Sequence, residues 1–326
     1  MNGMNETPRA NVPGYAPARP PLLAELPPFP AVALRAMQMV SNSETGLREL
    51  HDMIRADQAF SAELLRITNC PLYGIRCQIK STMQATMLLG FERVKAVVLT
   101  IGLRSYLGAG LTIPALRACW RHSLACAMIT EELAKVSFLG TRWGGCEGLI
   151  ASSKDNLPPQ PTTAGNPGDA SKPILDKDVA YTAGMIHDLG RLALAASRPQ
   201  QYAELVKTAG DGSRDMLQRE REAFGMDHCE MGHSLARAWN LPLELDEVMS
   251  KHHAPVDGTR FDLLAVVQLA CRMSEALGFD TGGSANPTTY EELICEFPDR
   301  ERRHFDCDPE ELARAVSAKI AAIEPT

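Results

Sequence analysis

Missing from these 326 residues is any apolar/polar alternation long enough to build a sheet, which excludes sandwiches, barrels and α/β folds and predicts an all-α chain. There is no G-x-x-x-x-G-K-[ST], no G-x-S-x-G and no HExxH, so P-loop, α/β-hydrolase and zincin chemistry have no anchor. The nine cysteines, at 70, 77, 119, 126, 146, 229, 271, 295 and 307, are odd in number, scattered and never spaced as CxxC. That pattern predicts reduced thiols rather than a disulfide framework or a cysteine zinc site. The first thirty residues lack the continuous apolar stretch of a secretory signal, and no apolar run reads as long enough to span a bilayer. A cytoplasmic chain with no membrane partner is therefore expected. An excess of positive charge is also lacking: the formal net charge is −7 and the pI about 5.7, which argues against a protein that coats nucleic acid. The charge is uneven, with 13 Lys+Arg against 8 Asp+Glu from Met1 to His122, a net +5 that leaves −12 for the remainder.

What is present is helical periodicity. Residues 1–21 are rich in Pro and Asn and read as disordered. From 22 to 108, apolar residues recur at helical intervals in a first lobe: Val32, Met39 and Val40, then Leu47, Leu50 and Ile54, then Phe60, Leu64, Leu65 and Ile67. PPFP, SNSETG and CPLYG break the segments, Pro71 and Gly74 closing the third. Ser81 is placed to cap a helix through MQATMLLG, and Gly90 separates it from FERVKAVVLTIGL. The pair resembles a helix-turn-helix in outline, but Arg93 and Lys95 are the only candidate phosphate contacts on its second helix, so two packed helices are expected. A second helical lobe covers 113–278, interrupted between Gly140 and Asp176 by a Gly/Ser/Pro/Asn-rich insertion, and a helical tail covers 279–326.

The chemistry concentrates in histidine. His187-Asp188 lies in AYTAGMIHDLGRLALAAS, an apolar setting where adjacent metal-type ligands are costly. On a helix their side chains are offset by roughly 100° and lean toward one ion. His122 lies upstream, and His228, His233 and the doublet His252-His253 lie downstream, making six of the chain's eight histidines. Asp227 and Glu230 form a capping-box pattern that puts His228 in the first turn of a helix. The stripe Leu245, Val248, Met249 and His252 turns His252 inward and leaves His253 about 100° around. His233 falls on a surface position. Cys271 sits in a largely apolar helix, where a thiol is inert unless a basic partner and an electropositive setting activate it.

Seven segments in order, LPPFPAVALRAMQMVS, DQAFSAELLRITNCPLYG, STMQATMLLGFERVKAVVL, WRHSLACAMITEELA, AYTAGMIHDLGRLAL, REREAFGMDHCEMGHSLARAWNLP and KHHAP, resemble the HDOD domain, the HD-related output domain of bacterial signalling proteins. The resemblance runs over 22–278 apart from the insertion. It implies a multi-helix HD-like bundle with an N-terminal helical lobe, related to HD and HD-GYP phosphohydrolases and acting as a regulatory platform.

In active HD-type hydrolases a first-helix His, the His-Asp doublet and a later Asp hold a metal that lowers the pKa of water. By order, the resemblance matches these to His122, His187 and Asp188, with His228 and the pair His252-His253 in the positions where HD-GYP relatives carry further histidines. The closing Asp has no counterpart: LAVVQLACRMSEALG contains none, and Cys271 takes the position. The GYP motif is absent, and Arg191 replaces the usual lysine after the doublet, available to hold an anion or close a salt bridge. A magnesium or manganese site is not expected. The resulting expectation is a non-catalytic signalling platform with signalling proteins as partners, a homodimer allowed, and no cofactor beyond one vestigial divalent metal. The alternatives are a metal-dependent phosphohydrolase with an altered site and a weak nucleic-acid contact through Arg93, Lys95 and Arg104.

Overall fold

The apolar stripes named above lie on helices in the computed structural model except at the end of the first, where Met39 is extended and Val40 lies outside the described residues, which are 26–39, 44–69, 78–136, 175–209, 216–255, 260–281, 288–303, 305 and 307–324. The stretch 1–21, nearly all of 140–176, and Pro71 and Gly74 lie outside the described residues. Among the described residues there is no strand.

The first lobe contains α1 (Ala31–Gln38), α2 (Glu44–Ala56), α3 (Gln58–Thr68), α4 (Thr82–Leu89) and α5 (Phe91–Leu107). Their starts follow local chemistry. Asp57 accepts from the backbone N–H groups of Ala59 and Phe60 to open α3, and Ser81 accepts from that of Gln84 to open α4. Gly90, at φ 77°, turns α4 into α5. Most of α5 is buried, from Val94 to Leu103 without interruption, whereas α4 buries only Ala85 and Thr86 and leaves Met83, Met87 and Leu88 exposed.

One expectation is corrected here. Phe91–Thr112, α5 with its 3₁₀ extension, is long and apolar enough to cross a membrane by length and composition, though no apolar run read that way in the sequence. With 67% of its apolar window buried inside the protein, it is accounted for as a core helix.

The second lobe is built on α6 (Pro114–Val136) and α7 (Lys177–Ile186), the most extensively packed pair. They approach closely because Gly184 has no side chain: a Cβ there would stand 2.8 Å from the Ala127 backbone. Around them lie α8 (Leu189–Ser197), α9 (Pro199–Ala209), α10 (Met216–Phe224), α11 (His228–Ala238), α12 (Leu243–Lys251) and α13 (Leu263–Ala276). The tail forms α14 (Tyr290–Cys295), a single turn α15 (Asp299–Arg302) and α16 (Pro309–Ile323), which packs back on α6.

Phe29 ties the lobes, its ring 5.2 Å from that of Tyr106 on α5 and 4.8 Å from that of Trp239 at the end of α11. Gln38 donates to the Trp239 carbonyl at 2.7 Å. The cysteines divide: 119, 126, 229, 271 and 295 are free, as expected, but Cys307 is disulfide-bonded. Sequence spacing carries no information about which distant thiols a fold brings together.

Candidate functional site

Helix ends, rather than helix faces, assemble the histidine cluster. His187 is the last residue of α7's cap and Asp188 stands at the N-cap of α8, so the doublet marks a break between two helices instead of lying on one. Asp188 makes no capping bond to α8, and its carboxylate is turned into the cluster. His228 is the first residue of α11, behind the Asp227–Glu230 capping box, and His252 caps the end of α12. Gly190 lets α8 meet α11, since a Cβ there would stand 2.0 Å from the His228 carbonyl oxygen. α6 supplies His122 and α13 supplies Cys271.

The cluster is deep in the lobe rather than at its edge. His122, His187, Asp188, Arg191, His228, His252 and Cys271 are each no more than 4% exposed. α6 is buried nearly all round, so His122 is enclosed by its neighbours on every side. His253 is exposed at the rim, its ring 4.5 Å from that of His252. His233 is out on the surface and bonded to Asp246 at 2.7 Å, as its position on the helix implied.

Backbone carbonyls assign the tautomers, because a carbonyl can only accept. The Nδ1–H of His122 donates to Phe279 at 2.8 Å, that of His187 to Gly184 at 2.7 Å and that of His252 to Val248 at 3.2 Å. In the neutral ring each Nε2 then presents a lone pair to the interior. His228 differs: its Nδ1–H and backbone N–H both donate to Glu220 Oε2, at 2.6 and 2.9 Å. Burial and the nearby Arg191 guanidinium push the His228 pKa down, but Glu220 outweighs them and the net result is a rise to about 10. The His228 Nε2–H then lies between His252 Nε2 at 3.2 Å and Asp188 Oδ1 at 3.4 Å. Burial holds His187 well below, and His252 below, the ordinary histidine range, keeping both neutral.

Arg191 is neither at the surface nor free. Its Nε stands 2.9 Å from Asp188 Oδ2 and its Nη1 donates to Thr281 at 2.9 Å. The Arg191–Asp188 contact is an ion pair lying off the hydrogen-bond axis, and neither of these two atoms has a hydrogen-bond partner. Burial alone would raise the Asp188 carboxyl; the guanidinium instead holds it well below the usual carboxylate range. Two carboxylates, Asp188 and Glu220, thus face two cations, Arg191 and protonated His228, and the buried charge balances.

The metal-type donors fall into two groups. Asp188, His228, His252 and His253 form one; His122, His187 and Cys271 form the other, with the three donor atoms within 4.8 Å of one another. Arg191 and the His228 proton already serve the first group. In the second, His187 Nε2 is buried with no hydrogen-bond partner, and Cys271 Sγ lies 3.5 Å from His122 Nε2. Cys271 thus has the basic neighbour that its apolar helix concealed, but burial pushes its thiol well up, leaving it protonated.

Sequence reasoning missed Glu220, Phe279 and Thr281. Glu220 lies in the charged string REREAF, which reads as a solvated helix, and the other two come from the segment after α13.

Against known families, the chain matches the HDOD domain over residues 26–141 and 170–255, more than half its length. An uncharacterized protein of Treponema pallidum (strain Nichols) is 19% identical over 229 residues, covering 70% of this chain; the chain spans only 38% of that relative's length. Among solved structures, an HDOD domain protein of unknown function from Geobacter sulfurreducens is 20% identical with a TM-score of 0.62, 91% of each chain being covered. A "Putative signal transduction protein" from Marinobacter aquaeolei VT8 also scores 0.62, at 19% identity, covering 92% of this chain and 59% of its own. A "Putative phosphohydrolase" from Shewanella amazonensis SB2B scores 0.58 at 18% identity, with 93% and 95% covered. At these identities the likeness is one of fold, and it agrees with the all-α bundle described above. Taken with the domain match, it places the chain in the HDOD family.

Proposed function

We propose that this chain is a non-catalytic interaction platform in bacterial signal transduction, regulating other signalling proteins through contacts rather than turnover. The observation that carries this reading is Arg191, whose buried guanidinium lies against Asp188 where a hydrolase would bring a metal's charge. Hydrolysis by metal-activated water also needs an open coordination position reached by the phosphoryl group, and of the donor residues here only His253, at the rim, is exposed. The family match and the signalling name of the Marinobacter relative support the same reading.

A surface for such contacts is at hand between the lobes. A cavity of about 770 Å³ is bounded by Phe60 and Glu63 of α3, Arg104 of α5, Arg117 and Trp120 of α6, and Glu324 beyond α16. That volume falls within the range of small-ligand sites.

The second reading, a metal-dependent phosphohydrolase, is favoured by His187 Nε2 and the Asp188 carboxylate oxygens, buried without a hydrogen-bond partner, and by the name of the Shewanella relative. One assay separates the two. Purified full-length protein is given cyclic dinucleotides and a chromogenic phosphodiester with manganese, magnesium or iron, beside His187→Ala. Turnover no higher than the variant's is expected; metal-dependent turnover lost in His187→Ala would overturn the platform reading.

The three cations weighed for nucleic-acid contact each have a partner within the protein. Arg93 pairs with Glu131 at 2.8 Å, Arg104 pairs with Glu63, and Lys95 is buried with its ammonium donating to the Met39 carbonyl at 3.0 Å.

A further inference from the structure

We propose that the cavity between the lobes is a binding site for a small aromatic carboxylate, which bridges α3 and α5 of the first lobe to α6 of the second. The charge around the cavity calls for an anion. Glu63, on its lining, accepts from Arg66 at 2.8 and 2.9 Å and also from Arg104. Glu324, also on the lining, accepts from Arg117 at 3.0 and 3.2 Å and from Arg121 at 3.4 Å. Four guanidiniums thus share two carboxylates. Asp57 is the third acid of the lining and caps α3; with it counted, one positive charge is still in surplus. Arginine keeps its proton at any pH the fold survives, so the surplus is met by an anion and not by titration.

Arg104 is the open donor. It bonds Glu63 through Nη1 alone, and among the described residues its Nε and Nη2 bond to nothing. A guanidinium presents its N–H groups in a rigid plane, and the two oxygens of a carboxylate match a pair of them along one edge. Arg117, the other cation of the lining, already holds Glu324 in that manner, through Nε and Nη2. The Arg104 side chain is only 26% exposed, which shields the contact from salt more than a surface pair would be.

The body of the ligand follows from the walls. Phe60 and Trp120 border the cavity with Ile101 and Leu111. At 4% and 1% exposed, the two aromatic side chains are fixed in the core, so the wall they offer is formed before anything binds. A flat ring packs on such a wall by stacking or edge contact. The volume of about 770 Å³ is ample for a fused-ring molecule of this kind. A single charge is required: a phosphate monoester carries about −1.5 to −2 at pH 7, and its second charge would face Glu63 and Glu324 with no cation to spare. Phe60 and Arg104 belong to the first lobe and Trp120 to the second, so an occupant touching all three holds the lobes at one spacing. The platform reading names no ligand; this site goes beyond it and holds whether or not the buried histidine cluster turns anything over.

Isothermal titration calorimetry of the full-length protein with naphthoate, its uncharged amide and naphthyl phosphate tests the site. Naphthoate should bind at one equivalent, the amide about tenfold more weakly or worse because a charge-assisted pair is lost, and the phosphate more weakly than naphthoate. Arg104→Gln should weaken naphthoate about tenfold and leave the amide unchanged, a difference that a merely loosened fold would not produce. Ser105→Trp, at an exposed position of α5 on the lining, should block both. In the wild type alone, bound naphthoate should slow amide exchange most in α3, α5 and the first half of α6, a result that does not depend on a variant folding. No naphthoate binding, equal affinity for naphthoate and its amide, tighter binding of the phosphate, or naphthoate affinity unmoved by Arg104→Gln or Ser105→Trp would each overturn the proposal.

Discussion

Arg191 is the side chain on which the buried cluster depends. Removing it leaves the Asp188 carboxylate buried without its guanidinium, and breaking one half of a buried pair costs about 3–5 kcal/mol. Arg191→Met should lose stability of that order in urea unfolding. Arg191→Lys should recover only part, because an ammonium cannot reach Asp188 and Thr281 in one plane as the guanidinium does.

Glu220 and His228 make a second, pH-dependent contribution. The folded His228 pKa is raised to about 10 from 6.5, so its stabilisation is complete below pH 6.5 and is lost as the pH rises toward 10. Glu220→Gln should therefore destabilise the protein strongly at pH 6.5 and much less at pH 10. Equal losses at both pH values would contradict the assignment. At this scale the ligand-type residues were readable because His, Asp and Cys are conspicuous in apolar sequence. Glu220 was not, since nothing local separates a buried glutamate from the solvated ones beside it.

Among the elements, junctions matter more than faces. α8 and α11 meet at Gly190, where an added methyl would collide with the His228 carbonyl. Overpacking of this kind costs about 1–3 kcal/mol, so Gly190→Ala should lower the urea midpoint while keeping helical content. It should also displace His228 from Asp188, with a chemical-shift change at the His228 ring as the check. Loss of the capping box in Asp227→Ala should cost about 0.5–2 kcal/mol by the same measurement. That cap was readable because it is written within four residues. The break at His187-Asp188 was not: the nearest glycines, Gly184 and Gly190, lie inside the flanking helices rather than at the break, and both helices share one apolar run. The burial of α6 on all sides escaped a stripe-based reading because a stripe presumes one wet face.

For the whole molecule, the all-α architecture followed from periodicity alone. The joining of its lobes did not, since Phe29, Tyr106 and Trp239 are far apart in the chain. Phe29→Ala should loosen that junction, measured as faster amide exchange in α1 and at the end of α11 while α6 and α7 stay protected.

The last helix is tied down at one end. Arg66 of α3 donates to the Ile323 carbonyl at 2.8 Å, and Glu324 pairs with Arg117 at 3.0 Å and Arg121 at 3.4 Å, both on α6. Because Glu324 and Arg117 also line the interlobe cavity, an anion entering there competes with the protein's own carboxylate for the same guanidinium. Filling the cavity with an anion would therefore free the Glu324 carboxylate, while the buried Leu312, Val316, Ile320 and Ile323 still hold α16 in place.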